Sequence, residues 1–327
     1  MKTPRTLLAA AAAALLATSA CASTGGSGDG GDGSDFPDGV SSIQIVVPFN
    51  AGGSTDTVAR LVAPRLSEEL GVTVQVLNKP EGNGQTGLNE VSTGPTDGSV
   101  LGSTNLPSAI ISYLDPNTDV SYDQDSFTPV GGIAAYGELI VVSADSPYST
   151  LDDLIEAADA GQVNLAAGAV DDLLPVSTFE DEAGVTFNKV PFEGGSAGKV
   201  PALLGNKVDV ITAAPSAVLP NVASGEFRVL ATLGGERAPS FPDVETVAEL
   251  GYDIAQDVVL GFSLPEGTPA AIAEAYADAL QTIAEDPEFV EAVEGVGFGV
   301  VYLSPEDFAE QWSQQEDVAR PIIESIG

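Results

Sequence analysis

Two glycine-rich stretches, PFNAGGSTD at 48–56 and GNGQTG at 82–87, carry the residue types from which an anion site can be built without a cationic side chain. Glycines let consecutive N–H groups converge where a helix begins, and that end of the helix carries the positive pole of its dipole. In the first stretch Ser54 and Thr55 add hydroxyl donors. Asp56 is spaced to cap the helix and to pair with Arg60 four residues on. The second stretch has the G-x-G-x-x-G spacing of a dinucleotide-binding turn. Yet Asn78, Lys79, Pro80 and Glu81 separate Gly82 from the preceding apolar run. The next strand ends in Ser103, Thr104 and Asn105, with no carboxylate for a ribose. The nucleotide reading fails on both counts. Each glycine loop alone reads as a tight turn; two of them after neighbouring strands point to an anion pocket.

Other chemistry has little to run on. The chain has no histidine, which excludes a Ser-His-Asp triad, a Cys-His pair and histidine metal sites. Cys21 is the only cysteine, so thiolate zinc sites are excluded too. Ser196 and Lys199 fit S-x-x-K, the nucleophile motif of penicillin-recognising enzymes, but no S-D-N or K-T-G follows. Lys199 reads instead as a residue on the exposed face of a helix. No catalytic residue, metal site or cofactor is expected, and a Ser/Lys hydrolase remains only as an alternative.

The elements that must position the two loops follow from periodicity. IQIVV (43–47) is a buried-strand run, and a helical pattern starts at Ser54 and runs to the stop at Gly71, with Pro64 expected to kink it. A strand at 72–77, a short helix near 86–93 and an apolar stretch at 99–104 follow. This alternation predicts a parallel α/β sheet. A second series predicts strands at 138–143, 163–169, 187–192, 208–217 and 228–234. It places helices after Ser149-Thr150, over 174–183 and from Ser196 to Leu204. An extended run at 258–267 leads to helices over 269–285, to about 294, and over 305–325. The pattern is two α/β units, the second inserted within the first, with chain crossings near 138–143 and 258–264.

The ends and the composition bound the setting. Lys2 and Arg5 precede an apolar run at 7–17, and small residues lead to Cys21, the pattern of a signal peptide with a lipidated cysteine. Residues 22–40 are mostly Gly, Ser and Asp and read as a flexible tether. Of eleven Lys and Arg, Lys2 and Arg5 lie in the leader, which leaves nine in the body against 48 acidic residues. Such an imbalance repels nucleic acid and anionic lipid. It is also the composition of proteins that work in high salt.

The stretches IQIVVPFNAGGSTDTVARLVAPRLSEELG and VTVQVLNKPEGNGQTGLNEVSTGPTDG resemble the N-terminal signature of the tripartite tricarboxylate transporter solute receptors, also called Bordetella uptake gene receptors. The likeness continues through SYDQDSFTPVGGI, NKVPFEGG, GNKVDVI, GEFRVLAT, ERAPSFPDVETVAELGY and LPEGTP, over residues 43–327. The resemblance implies an α/β, two-lobed fold of the type II periplasmic-binding-protein kind, each lobe a mainly parallel sheet flanked by helices. Lobe 1 is expected from 41–140 and 262–327, and lobe 2 from 141–261. It further implies an extracytoplasmic, monomeric receptor that closes on a small organic carboxylate (a di- or tricarboxylate, acidic amino acid or aromatic acid) and delivers it to membrane permease subunits. A receptor presenting its ligand to a membrane sensor is the alternative.

By the same resemblance, the carboxylate head is gripped by Phe49, Asn50, Ala51, Gly52, Gly53, Ser54, Thr55 and Asp56, by Gly84, Gln85 and Thr86, and by Thr104 and Asn105. Lobe 2 would contribute Gly168, Ala169, Asp171, Phe192, Glu193, Gly194, Ala214 and Ser216. At 166–177 the chain departs from the family. Asp171 and Asp172 stand where small donors are usual, and Pro175 falls near the usual histidine. Those acids either favour an ammonium group on the ligand or are solvated turn residues.

Overall fold

IQIVV forms β1 (Ile43–Val47), buried at every position but Gln44, as a strand covered on both faces must be. The computed structural model describes Gly33 and residues 35–326 except 83, 168, 169, 193 and 194; for residues 170–173, 197, 325 and 326 it describes the backbone alone. After β1 come α1 (Ser54–Leu70), β2 (Val74–Asn78), α2 (Gln85–Ser92), β3 (Val100–Leu106), α3 (Ser108–Leu114) and β4 (Phe127–Gly137). The chain then builds β5 (Leu139–Ser143), α4 (Leu151–Asp159), β6 (Asn164–Ala167), α5 (Val170–Ala183), β7 (Asn188–Pro191), α6 (Gly195–Leu204), β8 (Val210–Ala213), α7 (Pro215–Ala223) and β9 (Phe227–Thr232). It returns through β10 (Asp257–Pro265), α8 (Ala270–Glu285), α9 (Pro287–Gly295), β11 (Gly299–Leu303) and α10 (Pro305–Ile326).

The strands make two sheets, one per lobe. The first has the order β11-β4-β10-β3-β1-β2 and the second β7-β6-β8-β5-β9. Each has a parallel core, β3-β1-β2 in one and β7-β6-β8 in the other. The strands next to the crossings run antiparallel: β10 against β3 and β4, and β5 against β8 and β9. The sheets are therefore mixed. The chain passes from the first sheet to the second between β4 and β5 and returns between β9 and β10, so the second crossing precedes the expected 258–264, which lies inside β10.

Each sheet is packed on both faces. In lobe 1, α1, α8 and α9 cover one face through Val58, Val62, Leu66, Tyr276, Leu280 and Phe289. The other face is covered by α2, α3 and α10 through Leu88, Ile110, Phe308 and Trp312. Fully burying one such side chain contributes about 1.5–3 kcal/mol. Lobe 2 repeats the arrangement, with α4 and α5 on one face and α6 and α7 on the other.

Several local expectations change. The stretch at 208–217 is not one strand, since Pro215 opens α7 after only four strand residues. Helix α5 starts at Val170, four residues earlier than its apolar pattern. The tether is shorter than 22–40, because Phe36 packs on Tyr276 with ring centroids 5.2 Å apart. No helix among the described residues is long and apolar enough to cross a membrane.

Candidate functional site

The first glycine stretch links β1 to α1. Gly52 has φ +85°, a left-handed conformation that favours glycine, and Gly53 is the N-cap of α1. The first recorded backbone bond of the helix runs from Thr57 N–H to Gly53 O, so the N–H groups of Ser54, Thr55 and Asp56 have no carbonyl within the helix. Asp56 does not cap the helix. From the third helical position its Oδ2 accepts the Gly52 N–H at 2.8 Å and Arg60 Nε at 2.9 Å, and its Oδ1 accepts Asn78 Nδ2 at 2.9 Å. Asn78 Nδ2 also donates to Phe49 O at 3.1 Å. Burial opposes ionisation of Asp56, but the bonds from Arg60, Gly52 and Asn78 outweigh it and hold the carboxyl below its ordinary value. Asp56 fastens the loop from behind instead of facing the ligand space.

The second glycine stretch braces the first. Gly84 has φ +88°, and a Cβ there would lie 2.6 Å from Pro48 O. At Gly87 a Cβ would lie 3.0 Å from Pro48 Cα. The N–H groups of Gly84, Gln85 and Thr86 are used by the carbonyls of Pro80, Gly82 and Glu81. These N–H groups are therefore not offered to an anion. The glycine spacing serves close backbone packing.

A cleft of about 1090 Å³ opens between the sheets. Of the residues expected to bind ligand, Phe49, Asn50, Gly52, Gly53, Ser54, Thr55, Asn105, Phe192, Ala214 and Ser216 line it. Ala51, Asp56, Gly84, Gln85, Thr86 and Thr104 do not; Thr104 is buried and shares a 2.7 Å hydrogen bond with Ser263. Gly168, Ala169, Glu193 and Gly194, like Cys21, lie outside the described residues. Asp171 lies in the first turn of α5, and its side chain is outside the description.

The lobe 1 wall is donor-rich. Ser54 Oγ and Tyr136 Oη are 3.1 Å apart, Tyr136 stacks on Phe298 at 4.8 Å, and Asn105 Nδ2 donates to Thr55 Oγ1 at 3.1 Å. Across the cleft, Ser196 Oγ accepts the Ala214 N–H at 2.9 Å, tying the start of α6 to the turn before α7. The starts of α1, α6 and α7 thus all reach the cleft, and Ser54, Gly195 and Ser216 are on its wall. Each such terminus favours an anion by ~0.3–2 kcal/mol. Lys199 is not on an exposed face: it is 1% exposed, with Nζ 3.4 Å from Thr212 Oγ1.

A third wall was not anticipated from the residues. The crossing segment contributes Asp253, Gln256 and Asp257, and α10 contributes Gln311, Gln314, Gln315 and Val318. Those four positions of α10 share one helical face, next to the face that buries Phe308 and Trp312. Three glutamines at this spacing were a signal available in the sequence. Gln256 Nε2 donates to Thr178 Oγ1 of α5 at 2.9 Å, and Gln315 Nε2 donates to Asp257 O at 3.2 Å. Burial pushes the Asp257 carboxyl up, against the Gly235 N–H and with help from Glu236. Leu174 of α5 joins the lobe 1 cluster of Leu106, Ile110 and Trp312, so the lobes touch beside the cleft.

Residues 58–327 match the model of the tripartite tricarboxylate transporter family receptor. A Cupriavidus necator protein, the "UPF0065 protein in gbd 5'region", is 31% identical over 294 residues, 87% of each chain. Among solved structures, the periplasmic binding protein BugD is 27% identical with a TM-score of 0.73, covering 86% of this chain and 96% of that one. R. palustris Rpa4515, solved with adipate, is 26% identical with a TM-score of 0.74, covering 85% of this chain and 97% of that one.

Proposed function

This chain belongs to the tripartite tricarboxylate transporter receptor family and is a solute-binding receptor, not an enzyme, and we propose that its solute is a small organic carboxylate. The observation that carries this reading is the meeting of three helix starts on one cleft, with Ser54 and Thr55 on one side and Ser196 and Ser216 on the other. A carboxylate there accepts from the first-turn N–H groups of α1 and from the hydroxyls, with charge-assisted bonds of about 1.5–3 kcal/mol each. Closing the lobes excludes water and strengthens every one of these interactions. The adipate bound by Rpa4515 supports the ligand class.

In this reading residues 41–140 and 262–327 form lobe 1, and residues 141–261 form lobe 2. The receptor acts as a monomer and passes its ligand to the permease subunits of a tripartite transporter. Cys21 carries the lipid that holds it to the extracytoplasmic face of the membrane, and the segment after it gives the lobes reach. Ala51, Asp56, Gly84, Gln85 and Thr86 shape the head-group loop from behind. Gly168, Ala169, Asp171, Glu193 and Gly194 complete the lobe 2 side.

Thermal unfolding of the full chain against a panel of small carboxylates tests the proposal. A ligand present at one hundred times its dissociation constant adds ~2.7 kcal/mol to the folded state. No shift with any carboxylate would overturn the reading.

A further inference from the structure

Resting on the carboxylate reading above, we infer that Gln311 of α10 is a ligand contact that selects for hydroxyl groups beyond the carboxylate head, so that the solute is a polyhydroxylated acid. Two other glutamines of the cleft only hold its wall in place. Gln256 Nε2 is taken by Thr178 and Gln315 Nε2 by the Asp257 carbonyl, and both amide oxygens are enclosed by protein. Gln311 is different: it lines the cleft, is half-buried, and its amide makes no hydrogen bond among the described residues. Gln314, on the same helical face and exposed, donates Nε2 to Glu310 Oε1 at 2.9 Å, and its own oxygen accepts nothing from the described residues. Ser108, the first residue of α3, lines the cleft with a hydroxyl that is likewise uncommitted among them.

These groups are held firmly and lie near the head-group loop. Phe308 and Trp312, which flank Gln311 along α10, are fully buried, and Trp312 Nε1 donates to Tyr113 Oη of α3 at 3.0 Å. One turn after Gln311, the bond from Gln315 to the Asp257 carbonyl ties α10 to the start of β10. At its other end α3 adjoins the head-group loop: Ser108 follows closely on Asn105, whose Nδ2 donates to Thr55 Oγ1 at the start of α1. Three residues of chain span at most about 11 Å. A solute whose carboxylate sits on the first turn of α1 therefore extends past Ser108 towards the α10 wall. The α10 share of that wall is uncharged, made of Gln311, Gln314, Gln315 and Val318. An amide and a serine hydroxyl both donate and accept, and so does each hydroxyl of a solute. A bare methylene chain laid there would strip water from these groups and return no hydrogen bond. A second carboxylate only accepts, which leaves the Gln314 oxygen unanswered.

The test is calorimetry on the full chain with acids matched in carbon length, gluconate against hexanoate and galactarate against adipate. At least one hydroxylated acid is expected to bind roughly tenfold or more tightly than its deoxy partner. Gln311→Met keeps the length and helix preference of the side chain, and it should cut that preference about fivefold or more by weakening the hydroxylated acid alone. Gln314→Met, on an exposed position, should act in the same direction to a smaller degree. Deoxy acids binding as tightly as their partners in both pairs, or a preference that Gln311→Met leaves unchanged, overturns this inference and leaves the carboxylate receptor standing. No binding by any of the four acids overturns both.

Discussion

Gly137 and Gly234 approach so closely that a Cβ on Gly137 would sit 2.3 Å from Gly234 N, and one on Gly234 would sit 2.7 Å from Gly137 Cα. The two lie on the two chain segments that join the lobes. Gly137 ends β4, and Gly234 follows β9 and lies against Asp257 at the start of β10. The crossings are therefore packed backbone to backbone. Gly137→Ala is expected to cost about 1–3 kcal/mol, because the obstructing atoms are main chain and cannot rotate away. Gly295→Ala, in open space at the end of α9, should be neutral or slightly stabilising. Thermal unfolding of the two variants side by side checks this.

Asp56 should make the loop acid-sensitive. Its folded-state carboxyl titrates below its ordinary 3.8, so its contribution is complete above that value and is lost as pH falls through the lower folded value. Asp56→Asn removes an acceptor from Gly52, Arg60 and Asn78 and is expected to cost about 1–3 kcal/mol at neutral pH. The Arg60 side chain is 51% exposed, which screens its share. Denaturant unfolding of both proteins from pH 7 downward should show the gap narrowing only below the ordinary carboxyl value. A constant gap would mean that Asp56 acts by shape alone.

Leu174 should set how long the cleft stays shut. It is 5% exposed and belongs to the lobe 1 cluster, although α5 is a lobe 2 helix. Leu174→Ala removes apolar surface buried between α5 and the lobe 1 cluster, about 1.5–3 kcal/mol. Ligand affinity is expected to fall roughly tenfold, mostly through faster dissociation. Stopped-flow release of a bound carboxylate would measure it, and unchanged release would place Leu174 in packing that does not move.

Local chemistry determined a good deal of this protein. The absence of histidine, the acidic excess, the alternation from β1 to β3 and the donor loop before α1 are all readable along the chain, because strand and helix periods and glycine positions are written within a few residues. The capping of α4 by Thr150 belongs with them. The tertiary structure decided the rest. β4 and β11 pass unnoticed because Gly131 and Gly132 take the place of apolar side chains where Leu303 presses on them. α3 and α7 are too short for a period to show. In the loop 82–87, glycine spacing that reads as a ligand nest is required by the approach of Pro48, which no local pattern records. Glu138, Asp257 and the glutamine face of α10 come together only when two distant crossings and the last helix meet. A polar helix face is the same string of letters whether water or a ligand is to cover it, and long-range packing alone decides which.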